Sequence, residues 1–523
     1  MIQLRPYQVE PVRKAIDYFL REDPEPALMV LPTAWGKSLL AAEVAAACPD
    51  PILVVQPSKE LLEQNLSKYI QLCGALAPAG VYSASFGKRK IEHVTFATIG
   101  SIKNIGDEFR RLGFRKMVID EAHLYPRKEQ SMLGEFLRGS GIQQVLGLTA
   151  TPLKLETFSL KHGEKFYKWS ELIMLTNPST SGSFFKKILH VSQIQEMTSA
   201  GYWSPLRYEV LPFDRHALRM NSTESEYTDE SIVSSYVANN VRENILAALD
   251  YHSDRRHALV FVPTVEEAEA LASFYPDSAA LSGKTPAKER KRIIEEFKNG
   301  RIRVVFNVLV LSTGFDYPEI DLIITAFSTA SVAKLYQVLG RGVRIHPDKK
   351  DCIVVDAGGN VERFGRIEDL RFTGGDRYRL FGTQGILITG IPLQCVGNVT
   401  ADDVRRAIAT TDGRETVGFG KHRGKPYTKV PPPYLAWLLD NPNRNAAPAE
   451  SMHQRACVVM ALENHIRDTR NDPPETCFPD GKYAGENLLF ANKGYLRYYY
   501  NSKEWNETND SLRRGLLIAL GEL

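Results

Sequence analysis

No apolar run in the sequence is long enough to cross a bilayer. The longest, such as Ala27–Leu31 and Val304–Leu311, fall far short of the ~20 residues a spanning helix needs. The chain opens with Gln3, Arg5 and Tyr7 rather than the apolar centre of a secretory signal, so a soluble, cytoplasmic protein with no membrane partner is expected. Cysteine is sparse and scattered: Cys48, Cys73, Cys352, Cys395, Cys457 and Cys477 stand singly, without a C-x-x-C pair or a His doublet at zinc spacing. That argues against a disulfide framework and against zinc, leaving reduced cysteines that are buried or inert. An excess of either charge is missing too. The 65 Lys and Arg nearly cancel the 62 Asp and Glu, for a net charge of +3, which excludes a protein that coats polyanions with its whole surface. There is no long internal repeat.

What is present is apolar material for several cores, with 43% of the 523 residues hydrophobic and 24% charged. At roughly 100–200 residues per domain, about three domains are expected. Between Leu4 and Ala150, short runs of Val, Ile and Leu (Ala27–Leu31, Ile52–Gln56, Val94–Ala97, Lys116–Ile119, Gln144–Leu148) alternate with helical stretches such as Lys37–Ala47 and Lys59–Leu72. Strands without polar alternation belong to a parallel sheet covered on both faces, hence a doubly wound α/β domain. The period is lost over 156–228, which reads as a polar connector. It returns over 229–371, with strands Ala258–Val262, Ser278–Leu281, Arg303–Phe306, Leu322–Ala326 and Cys352–Val355 and helices near Val265–Phe274, Ala287–Asn299 and Lys334–Leu339. The expected organisation is therefore a first α/β domain over 1–155, the connector, a second α/β domain, and a smaller α+β region over 372–523. Residues 361–430 hold 12 Lys and Arg against 8 Asp and Glu, a larger surplus than that of the whole chain.

Three motifs carry chemistry. Pro32-Thr33-Ala34-Trp35-Gly36-Lys37-Ser38 joins a strand to a helix, as a phosphate-binding loop requires. Backbone N–H groups and the helix N-terminus would hold phosphates, Lys37 would neutralise them, and Ser38 would ligate Mg²⁺. Leu31 stands where such a loop usually begins with Gly, and an ordinary strand–turn–helix with an exposed Lys also fits. Asp120-Glu121-Ala122-His123 ends a buried strand, at the sheet edge where ligands bind. Asp120 can hold Mg²⁺ while Glu121 deprotonates the attacking water; alone, the pair could be an acidic turn, and the upstream loop favours the catalytic reading. Gln337-Val338-Leu339-Gly340-Arg341-Gly342-Val343-Arg344 places two arginines three residues apart, on what could be one helical face. They are suited to spread phosphoryl charge, or to form a solvated basic helix.

Together these motifs resemble superfamily 2 helicases over about residues 1–370. Leu4-Arg5-Pro6-Tyr7-Gln8 is similar to the family's adenine-reading entry, Gln56-Pro57-Ser58-Lys59-Glu60-Leu61 to its first nucleic-acid contact, and Thr149-Ala150-Thr151-Pro152 to its coupling motif. Phe261-Val262-Pro263-Thr264 and Leu311-Ser312-Thr313-Gly314-Phe315-Asp316 are similar to its fourth and fifth motifs. The likeness within the family is to RadD-type bacterial repair helicases, through LRPYQ, NVLVLSTGFDYPEIDLII and LYQVLGRGVR. Those relatives carry a cysteine-rich zinc module that has no counterpart here.

The resemblance implies two RecA-like domains that close on ATP and Mg²⁺ and step along a nucleic acid, in the cytoplasm of a bacterium or of a phage's host. By role it implies Arg5, Gln8, Thr33, Ala34, Trp35, Gly36, Lys37, Ser38, Gly314 and Asp316 around the nucleotide, and Ser38 and Asp120 on the metal. Glu121 would be the base, with Gln337, Arg341 and Arg344 at the γ-phosphate and His123, Thr149 and Thr151 for coupling. Ser58, Lys59, Thr98, Ser101, Thr264, Ser282 and Thr313 would face the nucleic acid. DNA in repair, recombination or replication is favoured through the RadD likeness, RNA staying open, with recombination or single-strand-binding proteins as companions. The competing reading is a nucleotide-gated DNA clamp without productive turnover, against which Glu121 and Arg344 stand and for which the altered loop at Ala34-Trp35 speaks. A module around 415–440 resembles one at the ends of some exonucleases. Its Lys421, Arg423 and Lys425 alternate with small residues in a loop that could meet a phosphate backbone. Its Tyr434 and Trp437 share one helical face, and Tyr495, Tyr498, Tyr499 and Tyr500 cluster near the end; aromatic stacking on bases and a small aromatic core are both open.

Overall fold

A computed structural model of the chain describes residues 3–21, 25–125, 131–162, 165–176, 183–223, 225–312, 315 and 317–373, then shorter stretches at 379–383, 388–389, 393, 396, 416–430, 478–484, 488, 491, 493–503, 512–513 and 516. The chain divides into two compact units. One holds residues 1–154, 175–214 and 232–358, the other 155–174, 215–231 and 359–523.

The first unit is built on two sheets. In the first, strands β1 (Ala27–Val30), β2 (Ile52–Gln56), β3 (Gly80–Ser83), β4 (Lys88–Arg89), β5 (Val94–Thr98), β6 (Lys116–Asp120) and β7 (Gln144–Thr149) are joined by a strand Lys187–Val191. That strand pairs parallel with β1 at one edge, β7 flanks β1 on its other side, and only β3 and β4 pair antiparallel. Strands β1, β2, β6 and β7 are buried at every position, the pattern of strands covered on both faces. Helix α1 (Pro6–Leu20) precedes β1, α2 (Lys37–Ala47) comes directly after it, and α3 (Lys59–Cys73) comes after β2. Ser58 caps α3 by accepting a hydrogen bond from the Leu61 N–H at 3.3 Å, and α3 buries Leu62, Asn65 and Tyr69.

The second sheet contains Ala258–Phe261, Ser278–Leu281, Val304–Asn307, Leu322–Thr325 and Cys352–Asp356, all parallel. At its edge a strand Leu206–Val210 pairs parallel with Cys352–Asp356. Its core gathers Val260, Phe306, Ile324 and Val355 with Ile245, Leu249 and Leu271 from flanking helices.

The segment read as a polar connector departs from that expectation. Lys187–Val191 and Leu206–Val210 each complete one of the two sheets, and Leu153–His162 and Lys165–Met174 form a two-stranded sheet of their own. Edge strands have one neighbour and a partly wet face. Lys187–Val191 and Leu206–Val210 are only half-buried or exposed along their length, so their sequences lack the apolar run that marked the central strands.

In the second unit, Arg371–Thr373 pairs antiparallel with Arg379–Phe381. A helix Lys493–Asn501 helps form a small core of Phe478, Tyr483, Leu488, Leu496, Tyr499, Leu512 and Leu516. Of the tail tyrosines, Tyr499 is buried while Tyr498 is exposed, so this cluster is chiefly a core rather than a stacking surface. Tyr434 and Trp437 lie outside the described residues. Among the described residues no helix is long and apolar enough to cross a membrane.

Candidate nucleotide site

At the C-terminal end of β1 the chain turns through Pro32–Gly36 into α2. Gly36 sits at φ +100°, and a Cβ there would meet Gln8 Nε2 at 2.5 Å, so only glycine fits. Ala34 also takes a left-handed conformation, at φ +61°. The Trp35 ring is fully buried; its Nε1–H donates to Ser192 Oγ at 2.9 Å. The Trp35 carbonyl accepts from Gln8 Nε2 at 2.7 Å and from the Tyr7 hydroxyl at 3.1 Å. The bulky residue in a loop that is often glycine-rich is thus turned inward and tied to the entry motif on α1, where Gln8 Oε1 accepts the Arg5 N–H at 2.8 Å.

The end of β6 supplies the carboxylates. Lys37 Nζ donates to Glu121 Oε1 at 2.9 Å. Asp120 accepts the Glu121 N–H on Oδ1 at 2.9 Å and Asn65 Nδ2 on Oδ2 at 3.1 Å. Burial, and then the Glu121 charge, push the Asp120 carboxyl up to about 6. Glu121 is driven upward by the same burial, but the Lys37 charge, the neighbouring His123 imidazole and the Lys37 hydrogen bond outweigh it and hold it below the usual carboxylate range. Two adjacent carboxylates are thereby pushed apart in acidity, the arrangement that separates acid and base roles.

His123 bridges two elements. Its Nδ1 lies 2.9 Å from Thr149 Oγ1, and Gln337 Nε2 donates to its Nε2 at 3.2 Å. Since an amide nitrogen can only donate, Nε2 is the bare nitrogen and Nδ1–H donates to Thr149. Burial, aided by the Lys37 charge, lowers the His123 pKa against the pull of Glu121, which agrees with that neutral tautomer. Thr149 Oγ1 in turn accepts the Thr151 N–H at 3.1 Å.

The arginines depart from the helical face anticipated for them. The helix Val332–Leu339 ends before them, and the chain continues as a turn in which the Arg341 and Gly342 N–H groups donate to the Val338 and Leu339 carbonyls. These tighter i→i−3 bonds suit a helix end followed by glycines. Arg341 and Arg344 both donate to the Phe315 carbonyl, at 2.6 and 3.2 Å. They line one cavity of about 740 Å³ with Arg5, Gln8, the Thr33–Ser38 loop, Ser58, Asp120, Glu121, Thr151 and Gln337.

Other expected residues lie elsewhere. Thr98, the last residue of β5, and Ser101 bond each other at 2.9 Å, Thr98 donates to Ser83, and Ser101 accepts the Ala84 N–H. Exposed Lys59 sits over the Phe86 ring at 5.2 Å, with Lys88 over the same ring at 5.8 Å. Thr264 caps the helix Val265–Phe274 through the Glu267 N–H at 3.1 Å, and Ser282 follows a strand of the second sheet, accepting the Lys284 N–H at 3.2 Å. Lys421, Arg423 and Lys425 are exposed on a turn closed by the Thr416–Pro426 bridge. Thr313, Gly314 and Asp316 lie outside the described residues, and no group of His, Cys, Asp and Glu among the described residues is arranged to hold a metal by itself.

Sequence reasoning missed Asn65, Tyr202, Trp203 and Tyr336. Asn65 was findable as the one amide in the buried Leu62–Asn65–Tyr69 stripe of α3. Tyr202, which also lines the cavity, lay in the stretch dismissed as connector.

Residues 1–154 match the family described as type III restriction enzyme, res subunit, and residues 240–346 match the helicase conserved C-terminal domain. A provisionally named mitochondrial ATP-dependent helicase of Schizosaccharomyces pombe is 24% identical over 381 residues, which is 69% of this chain but 58% of the yeast protein. The chain thus spans less than two thirds of that relative's length. The DNA 3'-5' translocase XPB2 of Sulfurisphaera tokodaii is 23% identical over 67% of this chain and 80% of its own. Among solved structures, a fragment of a provisionally assigned HsdR subunit of a type I restriction enzyme from Vibrio vulnificus shares the fold, with a TM-score of 0.50 and 18% identity over 69% of this chain and 65% of that one.

Proposed function

We propose that this chain, whose matched domains set it among the superfamily 2 helicase-like proteins, is an ATP-driven motor on nucleic acid, with DNA as its track. One observation carries the reading: a single cavity is lined by Lys37, Asp120 and Glu121 at the strand ends of the first sheet and by Gln337, Arg341 and Arg344 from the part of the chain that builds the second. The loop at the N-terminus of α2 offers N–H groups and a helix dipole to phosphates, and Lys37 neutralises their charge. Glu121, held ionised beside Lys37, accepts a proton from the attacking water, and the arginine turn offsets charge that develops in the transition state. The Gln337–His123–Thr149–Thr151 chain ties the helix that leads into that turn to the end of β7.

Ser38 and Asp120 are hard oxygen donors on the same cavity, beside a pair of crowded carboxylates whose repulsion a cation would relieve, so the site fits Mg²⁺. When bound, the metal would add charge neutralisation at the phosphates. The DNA assignment rests on the named activity of the archaeal relative and on the RadD-type resemblance, with repair or recombination as its setting. Phosphate contacts would come from Lys59, Lys88 and the exposed turn bearing Lys421, Arg423 and Lys425.

A clamp without turnover is the less favoured reading, because the Trp35 ring that alters the loop is buried and bonded to Ser192. The test is ATP hydrolysis by the full chain with and without single-stranded, forked and flush duplex DNA. DNA-stimulated turnover is expected. Nucleotide binding with no turnover on any of these would return the clamp.

A further inference from the structure

Three consecutive residues of the segment between the two sheets touch three separate parts of the nucleotide site. The helix Ile194–Ser199 ends with Gly201 at φ +70°, and the Tyr202 N–H closes back on the Met197 carbonyl at 2.8 Å. That is a Schellman-type stop, which a left-handed glycine permits and which fixes the direction of the next residue. Tyr202 is aimed at the entry motif: its ring centroid is 4.4 Å from that of Tyr7, and the Arg5 guanidinium lies over it at 5.4 Å. Trp203, buried, donates its Nε1–H to the Thr33 carbonyl of the phosphate loop at 3.0 Å. The Ser204 N–H donates to the Val343 carbonyl at 2.8 Å, inside the arginine turn. Thr33 is gripped on its other side as well, its N–H donating to the Tyr336 hydroxyl at 3.0 Å.

We propose that Tyr202, Trp203 and Ser204 form a positioning strip: Tyr202 is the stacking wall for the nucleotide base, and the residues behind it hold the phosphate loop and the arginine turn in register with that base. This rests on the ATP reading above. The argument is one of geometry. A purine beside Arg5 and Gln8 meets Tyr202 in the same cavity, and an aromatic face gains more from a two-ring base than from a one-ring base. The two hydrogen bonds that follow run to the loop expected to hold the phosphates and to the turn carrying Arg341 and Arg344. Displacement of the strip by one residue would shift both.

The test uses the full chain, with ADP and UDP binding measured by calorimetry and ATP and UTP hydrolysis at steady state. Tyr202→Ala should weaken ADP about tenfold, in the range of a lost aromatic–base stack, and UDP less than about twofold, so the purine preference narrows. Tyr202→Phe, which keeps the ring, should stay within about twofold of the parent for both. Trp203→Phe removes the donor to Thr33 while keeping an aromatic ring in the buried position, and should lower the ATP kcat about tenfold while ADP binding stays within about twofold. Equal weakening of ADP and UDP by Tyr202→Ala, or no change in either, overturns the stacking wall. An unchanged kcat in Trp203→Phe overturns the positioning role. If the parent chain binds neither ADP nor UDP, the ATP reading itself fails, and the strip with it.

Discussion

Where the first sheet ends, the chain places Asp120, Glu121 and His123 around Lys37, and the acidities of all three are displaced by burial and by one another. What the second half brings to the same cavity is different in kind: Arg341 and Arg344 are anchored on one backbone carbonyl, and guanidinium groups stay charged at any working pH. The first set is therefore sensitive to ligand, proton and metal, while the second is a fixed charge delivered by a turn. A site assembled this way separates gripping the nucleotide from completing the reaction, and each half can be broken alone.

The largest effects are expected in the first half. Glu121→Gln removes the base but leaves Lys37 and the loop, so ATP binding should persist while turnover falls by at least about a thousandfold. Lys37→Ala removes charge that faces the phosphates in the ground state too, so it should lose binding and turnover together. ATP affinity by calorimetry and single-turnover rates distinguish the two. Equal loss of binding in both variants would overturn the assignment of roles.

In the second half, Arg341→Ala or Arg344→Ala should leave ADP binding within about threefold and lower kcat roughly a hundredfold or more, as expected of a charge that acts chiefly in the transition state. Full turnover in both single variants would remove the arginine turn from the reaction.

The same contrast explains what could be read in advance. Central strands such as Ile52–Gln56 and helices such as Lys37–Ala47 have the bounds expected of them, because burial on both faces and a helix-opening loop leave strong local patterns. Lys37, Asp120 and Glu121 are neighbours of such patterns, and so were legible. The edge strand Leu206–Val210 and the residues Tyr202 and Trp203 were not, since their placement depends on pairing and hydrogen bonds to residues over a hundred positions away. The arginine turn was legible by residue type and misread in conformation, because a repeat of three residues fits a helix and a tight turn equally well.

Asp120 offers a sharper test of the sensitive half. Its folded pKa of about 6 lies above the ordinary aspartate value, so between about pH 4 and pH 6 the folded chain binds more protons than the unfolded one. Stability therefore falls as pH rises through that window, and the full cost of a charged Asp120 is present above it. Asp120→Asn should raise Tm by about 2 °C near pH 8 and change it little near pH 4, while abolishing turnover. Asn65 can accommodate the change, since its Oδ1 is buried without a hydrogen-bond partner and a flipped amide would accept from the new side chain. An equal gain at both pH values would mean that the carboxylate carries no such burden.

The smallest effect lies in the loop itself, at Ala34. A left-handed alanine costs about 1 kcal/mol relative to glycine, and Ala34→Gly would relieve that strain. Against it stands the added freedom of glycine in the unfolded chain, which disfavours folding by about 0.4–1 kcal/mol. The two nearly cancel, so Tm should move by less than about 1 °C. The loop is also held independently of that residue, by the Gln8 and Tyr7 bonds to the Trp35 carbonyl and by the Trp203 bond to Thr33, so ATP binding should change by less than about twofold. A Tm gain of several degrees would show that the loop stores far more strain than one left-handed residue. A marked loss of ATP affinity with unchanged Tm would show instead that the alanine methyl group, and not only the backbone around it, shapes the phosphate cradle.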